Sequence, residues 1–152
     1  MSDIEARISA LGHTLPDAPA PAANYVPFVV TGKHLFVSGQ ISNGPDGLIC
    51  GKLGADLTTE EGAKAAETCA LALLAQAKAA TGDLSKVARL VKLVGFVNST
   101  PEFTDQPKVI NGASDLMVAV LGDAGRHARS AVSAASLPLG VAVEIEAIFE
   151  LA

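Results

Sequence analysis

Arg129 and Glu144 have the clearest chemistry to offer in this chain. They lie in the stretch ARSAVSAASLPLGVAVEIEAIF (residues 128–149), where two small-residue apolar runs flank a Leu-Pro-Leu-Gly corner. Each run carries charge where a plain core strand would not. From Val141 the pattern alternates, with Val141, Val143, Ile145, Ala147 and Phe149 on one face and Ala142, Glu144, Glu146 and Ile148 on the other. In the first run Ala128, Ser130 and Val132 oppose Arg129, Ala131 and Ser133. If Val132 packs with the Val141 series, Arg129 and Glu144 emerge together on the opposite face of one sheet. A guanidinium and a carboxylate held on rigid backbone can bind an anion and move a proton beside it. The same arginine equally suits a structural ion pair with Glu144 or Glu146, and Glu146 is read as structural.

The elements that must position this pair can be read in chain order. Residues 2–11 (SDIEARISAL) have helical spacing, with Ile4, Ile8 and Leu11 on one face and Gly12 as a stop. Residues 16–23 (PDAPAPAA) are proline-rich and read as an extended surface connector. Two β-rich runs, 25–31 and 34–40, are joined by Gly32-Lys33, a hairpin signal. Residues 43–54 are glycine-rich without a strong period and read as a loop.

The strongest helix signal spans residues 58–81. Thr58 and Glu61 match a capping box, Ala66, Ala70, Leu73 and Ala77 line one face, and Gly82 closes it. A long strand is expected at 87–98, with Lys92 and Gly95 inside it. Asp105 can cap a second long helix from about Pro107 to Leu121, with Val109, Ala113, Leu116 and Val120 as its apolar stripe. The resulting order, β-β-α-β-α-β-β after an N-terminal helix and linker (residues 1–23), predicts an α+β domain over residues 24–152. Its two layers are a mixed β-sheet and two long helices on one face.

Composition narrows the classes. A chain of 152 residues suits one domain and buries roughly 70% of its unfolded surface. Only 18% of residues are charged and there is no tryptophan. Such sparse polar cover implies that one sheet face is buried against other subunits. The net charge of −5, with a pI near 5.1 and scattered Lys and Arg, argues against a nucleic-acid surface. Cys50 and Cys69 fit neither a disulfide framework nor a zinc site. His13, His34 and His127 lack metal-ligand spacing, so no metal is expected. Cys50, Cys69 and His127 are assigned to packing or surface. Without a signal peptide or a long apolar run, a cytoplasmic protein with no membrane contact is the default.

Three further motifs carry a family resemblance: LFVSGQI at 35–41, RSAV at 129–132, and Leu-Pro followed by VEIEAI at 143–148. In this order and spacing they resemble the RidA (YjgF-type) family, small trimeric proteins that hydrolyse reactive enamines and imines to ketoacids and ammonia. The likeness runs from about Tyr25 to the C-terminus, and FTDQPKVINGASDL (103–116) resembles one particular branch. The resemblance implies a chorismate-mutase-like fold, a homotrimer around a central β-barrel, and ligand clefts between subunits. It implies that Arg129 grips a substrate carboxylate and that Glu144 positions the hydrolytic water. Tyr25, Ser38 and Gly39 of the SGQ motif would line the cleft, with Asn111 as the cleft asparagine after one inserted residue. Ala131 stands where the best-known members have a cysteine, so the cleft floor differs. Residues 3–23 and the loop at 43–54 extend beyond the usual family length.

The chemistry so implied needs neither a metal nor an organic cofactor. A protonated C=N carbon is already electrophilic, so orientation, a bound water and a proton acceptor suffice. The expected partners are a second and third copy of the chain and small carboxylates, 2-imino acids and 2-ketoacids. The competing expectation is a non-catalytic ligand-binding or chaperone-like trimer of the same fold; Ala131 favours it and the retention of Arg129 and Glu144 opposes it. From the residues alone, Tyr25 suits packing as well as ligand contact. Ser38 and Gly39 equally suit close approach of a neighbouring chain. Asn111, a poor helix former inside a helix, suits a specific hydrogen bond.

Overall fold

A computed structural model of the chain describes residues 2–21 and 23–152. Of the N-terminal segment expected over 1–23, Met1 and Ala22 therefore lie outside the described residues. Helix α1 (Asp3–Ala10) opens on a capping box: Ser2 Oγ accepts from Glu5 N–H at 3.3 Å, and Ser2 N–H donates back to Glu5 Oε2 at 3.0 Å. Ile8 is buried, but Leu11, expected on the same apolar face, is half exposed. The Arg7 guanidinium donates to the Val120 carbonyl at 3.0 Å, and Glu5 pairs with Lys78. The described residues of the connector beyond α1 have no regular structure and lie over residues of the next helix. Gln76 Nε2 donates to the Pro19 carbonyl at 2.7 Å, and His13 meets Glu67 at 3.0 Å.

The main sheet is mixed and five-stranded. Its strands are β1 (Phe28–Thr31), β2 (His34–Ile41), β5 (Val87–Asn98), β6 (Ala128–Ala134) and β7 (Val143–Leu151), in the order β1-β2-β7-β5-β6. All pairs are antiparallel except β5 with β6. The first strand is shorter than the expected 25–31 and starts just after Pro27, which has no N–H to give a ladder. The glycine-rich stretch read as a loop holds a two-residue-per-strand hairpin, β3 (Asn43–Gly44) and β4 (Gly47–Leu48). Ser42 and Ile49 close it, with Ile49 N–H donating to Ser42 O at 3.0 Å and Ser42 Oγ donating to Ile49 O at 2.8 Å.

Helices α2 (Thr59–Thr81) and α3 (Gln106–Leu121) each cross over between strands running the same way, β2 to β5 and β5 to β6, and both cover one sheet face. The α2 boundaries follow the sequence signals: Thr58 Oγ accepts from Glu61 N–H at 3.1 Å, and Gly82 takes a left-handed conformation at φ 77°. The two helices touch through small residues. A Cβ on Gly112 would stand 2.0 Å from the Ala63 carbonyl oxygen, so only glycine permits this crossing. At the start of α3, Asp105 occupies the N-cap position but its side chain makes no cap hydrogen bond, contrary to expectation. Pro107 sits in the first turn, where its missing N–H is harmless.

The core lies between this helix layer and one sheet face, with Leu35, Leu90, Leu93, Val97, Val143, Ile145 and Phe149 fully buried. The other face is not polar. Val29, Phe36 and Val132 are each 44–50% exposed there, beside Val94 and Ile148. Val132 therefore does not join the Val143–Phe149 core series, which corrects the placement expected from its apolar character. No helix among the described residues is long and apolar enough to cross a membrane.

Candidate functional site

The register of β6 against β5 decides where Arg129 points. Leu93 pairs with Arg129, Gly95 with Ala131 and Val97 with Ser133. Leu93, Gly95 and Val97 are buried under the helices, so Arg129, Ala131 and Ser133 face the helix layer. Ala128, Ser130 and Val132 face away. On β7 the buried series is Val143, Ile145, Ala147 and Phe149, which leaves Glu144, Glu146 and Ile148 on the open face. Arg129 and Glu144 therefore lie on opposite faces of the sheet, not on one. The alternation within each strand reads as expected; what differs is which β6 face meets the core.

Two half-sites result. The first is built on β6 and α3. Arg129 Nη1 donates to Ser114 Oγ at 3.1 Å, and Nη2 donates to the Pro107 carbonyl at 3.3 Å. Pro107, Asn111 and Ser114 are spaced four and three apart along α3 and so form one stripe. Asn111 is exposed in the middle of that stripe, between the two residues that hold the guanidinium. Ala131 is partly buried against the core two residues along the strand. Arginine has five N–H donors, so three remain beyond these two bonds, enough for a two-pronged carboxylate contact.

The second half-site is built on β7 and β2. The β2–β7 register is interrupted between Val37 and Gln40, so Ser38 and Gly39 form a bulge opposite Glu146, and Glu144 pairs with Ile41 just beyond it along β2. A Cβ on Gly39 would lie 3.0 Å from both Cδ and Oε2 of Glu144, so the carboxyl group rests directly over the glycine backbone. Ser38 Oγ donates to the Val26 carbonyl at 2.8 Å and Ser38 N–H donates to the Pro27 carbonyl at 2.9 Å. These bonds tie down the segment carrying Tyr25, which is itself half exposed. Burial pushes the Glu144 carboxyl above the ordinary carboxylate value, and the neighbouring Glu146 charge adds to the shift. Among the described residues neither Glu144 nor Glu146 is in an ion pair, so the structural bridge considered for Arg129 does not form within the chain. A groove of about 390 Å³ on the same face is lined by Val29, Phe36, Ser38, Val94, Glu146 and Ile148.

Of the expected site residues, Arg129, Asn111 and Ala131 thus gather on the helix side of the β6 edge. Glu144, Gly39, Ser38 and the Tyr25 segment gather across the sheet. Reading the sequence missed Ser114 and His127. Ser114 follows Asn111 by one helical turn, and His127 shares strand parity with Arg129; those two spacings were the available signals. Cys69 is buried, and burial pushes its thiol up. Cys50 is exposed, with its thiol toward the Leu139 carbonyl. No three His, Cys, Asp or Glu residues among those described are grouped to hold a metal ion.

Both half-sites are thus carried by a mixed sheet covered on one face by two crossover helices, with an arginine on β6 and a glutamate on the last strand. Residues 5–151 match the family described as "YjgF/chorismate mutase-like, putative endoribonuclease". The chain belongs to this RidA (YjgF-type) family. It is 53% identical over 150 residues to Protein TCP17 of Trypanosoma cruzi, covering 97% of this chain and 94% of the relative. The crystal structure of Atu1372 from Agrobacterium tumefaciens, described as of unknown function, is 51% identical. It superposes with a TM-score of 0.93 over 99% of this chain and 93% of its own. RidA from an Antarctic Psychrobacter is 31% identical over 89% of this chain and 94% of its own, with a TM-score of 0.61. The matches to TCP17 and Atu1372 run through the N-terminal helix and connector as well.

Proposed function

We propose that this chain hydrolyses reactive 2-imino and 2-enamino acids to 2-ketoacids and ammonia, in clefts between the subunits of a homotrimer. The observation that carries the reading is the separation of the two half-sites. Each is chemically incomplete, and each lies at a surface that a second copy can reach. The exposed apolar side chains on the Glu144 face of the sheet give such a copy something to bury against.

In the assembled cleft, Arg129 of one subunit takes the substrate carboxylate through a charge-assisted pair of hydrogen bonds. That contact contributes about 1.5–3 kcal/mol and fixes the plane of the adjacent C=N group. Asn111 lies beside the guanidinium and offers an amide to the same ligand. Glu144 of a neighbouring subunit, half-buried and unpaired, aligns a water and takes its proton as the oxygen attacks the imine carbon. Glu144 then returns that proton to the nitrogen of the carbinolamine, and the C–N bond breaks as the carbonyl forms, releasing ammonia and leaving the carboxylate ionised again. A carboxyl whose pKa is raised is a better proton acceptor than an ordinary one while still being ionised above that value. Gly39 gives the carboxyl its seat, and Ser38 holds the Tyr25 segment at the rim. Cleavage of RNA, the activity in the family description, would need a cationic surface that a chain of net charge −5 does not offer.

The test is to generate short-lived 2-imino acids in place with an amino-acid oxidase and trap the survivors with semicarbazide. Wild type is expected to lower the trapped yield and Glu144→Gln to restore it. If wild type leaves the yield unchanged across several side chains, the fold serves binding alone and the hydrolytic reading is wrong.

A further inference from the structure

We propose that Ser114 and His127 are positioning residues that fix the Arg129 guanidinium for its carboxylate ligand, His127 acting through Ser114. The inference rests on the reading of Arg129 as the carboxylate anchor and extends it to two residues that touch no ligand.

The hydrogen-bond directions follow from atom types alone. His127 Nδ1 lies 2.6 Å from the Gly125 carbonyl oxygen, which can only accept, so Nδ1 carries the proton. In a neutral imidazole Nε2 is then an acceptor. Ser114 Oγ lies 2.9 Å from that Nε2 and 3.1 Å from Arg129 Nη1. The guanidinium can only donate, so the hydroxyl accepts from Arg129 and gives its own proton to His127. The chain runs one way: Arg129 Nη1–H to Ser114 Oγ–H to His127 Nε2, with Nδ1–H closing on Gly125.

Both ends of this relay are rigid. Gly125 is buried, and a Cβ added there would stand 2.3 Å from the Met117 carbonyl oxygen, so the backbone that accepts from His127 packs directly on α3. Arg129 is held at a second point by the Pro107 carbonyl, also on α3. Two anchors on one helix stop rotation of the guanidinium plane before a ligand arrives. A free arginine would have to be ordered by the ligand itself, which weakens binding roughly three- to tenfold for one rotamer-rich side chain.

The experiment measures 2-ketoacid binding by calorimetry, with pyruvate as the probe, on the intact protein at mildly alkaline pH. Ser114→Ala is expected to weaken binding about three- to tenfold and to raise KM while leaving kcat near wild type. Ser114→Thr, which keeps the hydroxyl, is expected to bind like wild type. His127→Phe should weaken binding as Ser114→Ala does and add nothing in the double variant, because both act through one chain. A ligand-free readout is the ¹⁵N spectrum of histidine-labelled protein, where His127 should show the Nδ1–H tautomer in wild type. An Nε2–H tautomer there would overturn the relay. Arg129→Ala separates this inference from its foundation. If Arg129→Ala loses pyruvate while Ser114→Ala and His127→Phe keep it, only the relay is wrong. If Arg129→Ala binds as tightly as wild type, the anchor reading falls and takes the relay with it.

Discussion

Arg129 and Glu144 stand on opposite faces of the same sheet, Arg129 beside Leu93 under the helices and Glu144 beside Phe96 on the open side. One chain cannot bring both to one small ligand. A cleft that uses both must take one from each of two copies, and this can be tested by mixing. Under the proposed trimeric hydrolase, Arg129→Ala and Glu144→Gln proteins should each be inactive in imine hydrolysis. Unfolded together in equal amounts and refolded, they should regain about a quarter of wild-type activity, since about one cleft in four draws both intact residues in a randomly mixed cyclic trimer. No recovery from mixed trimers of the right mass would place both residues in a site built by a single chain.

The environment of Glu144 sets a pH dependence with a defined sign. Burial, and after it the charge of Glu146, holds its pKa above the ordinary 4.5. In the proposed hydrolysis the ionised form takes the proton, so the acid limb of kcat/KM should fall at a higher pH than an ordinary glutamate would give. Glu146→Gln removes the second cause and should move that limb to lower pH; an unmoved limb would mean that another group sets it. The same shift bears on stability. The folded chain binds this proton more tightly than the unfolded one, so stability is lost as pH rises from 4.5 through the raised value. Glu144→Gln should accordingly melt higher than wild type at neutral pH, with the difference vanishing in acid.

Much of this architecture was legible in the sequence, and the part that was not has a physical cause. The Thr58–Glu61 capping box and Gly82 delimit α2 because they act locally. The alternations around Arg129 and Glu144 were each read correctly, since strand parity is also local. Their mutual orientation was not, because β6 and β7 are not neighbours: β5 lies between them, parallel to one and antiparallel to the other. Val132 misled for a related reason. An apolar residue marks the core only when the opposite face is polar, and here Val29, Phe36 and Val132 make the open face apolar as well. The hairpin at Asn43–Leu48 escaped because two-residue strands have no period to detect.

The N-terminal helix is held by one deeply buried side chain, and that gives a stability test away from the site. Ile8 is 1% exposed, within the core cluster. Ile8→Ala should destabilise the fold by roughly 2–5 kcal/mol, read as a lower urea midpoint, and leave any imine hydrolysis by the folded protein unchanged. A midpoint equal to that of wild type would show that α1 does not contribute its packing in solution.

Gly39 offers the cleanest separation of fold from chemistry. Its backbone is not in the left-handed region, so alanine is conformationally allowed there. In a strand that exchange even favours folding by roughly 0.5–1 kcal/mol. What the new methyl meets is the end of one side chain: Cδ and Oε2 of Glu144 at 3.0 Å and Cγ at 3.2 Å. Glu144 can swing aside without disturbing the core, so Gly39→Ala should fold, assemble and melt like wild type or slightly better. Its carboxyl, however, will be displaced from the seat it now occupies. Misplacement of a proton acceptor by about 1 Å is enough to lower kcat by up to about 10²-fold. Pyruvate binding, which the proposed anchor assigns to Arg129 across the sheet, should fall by no more than a few-fold. Loss of rate with retained binding and stability would tie the carboxyl's position over Gly39 to the reaction. Turnover at the wild-type rate would mean that this position is not the working one.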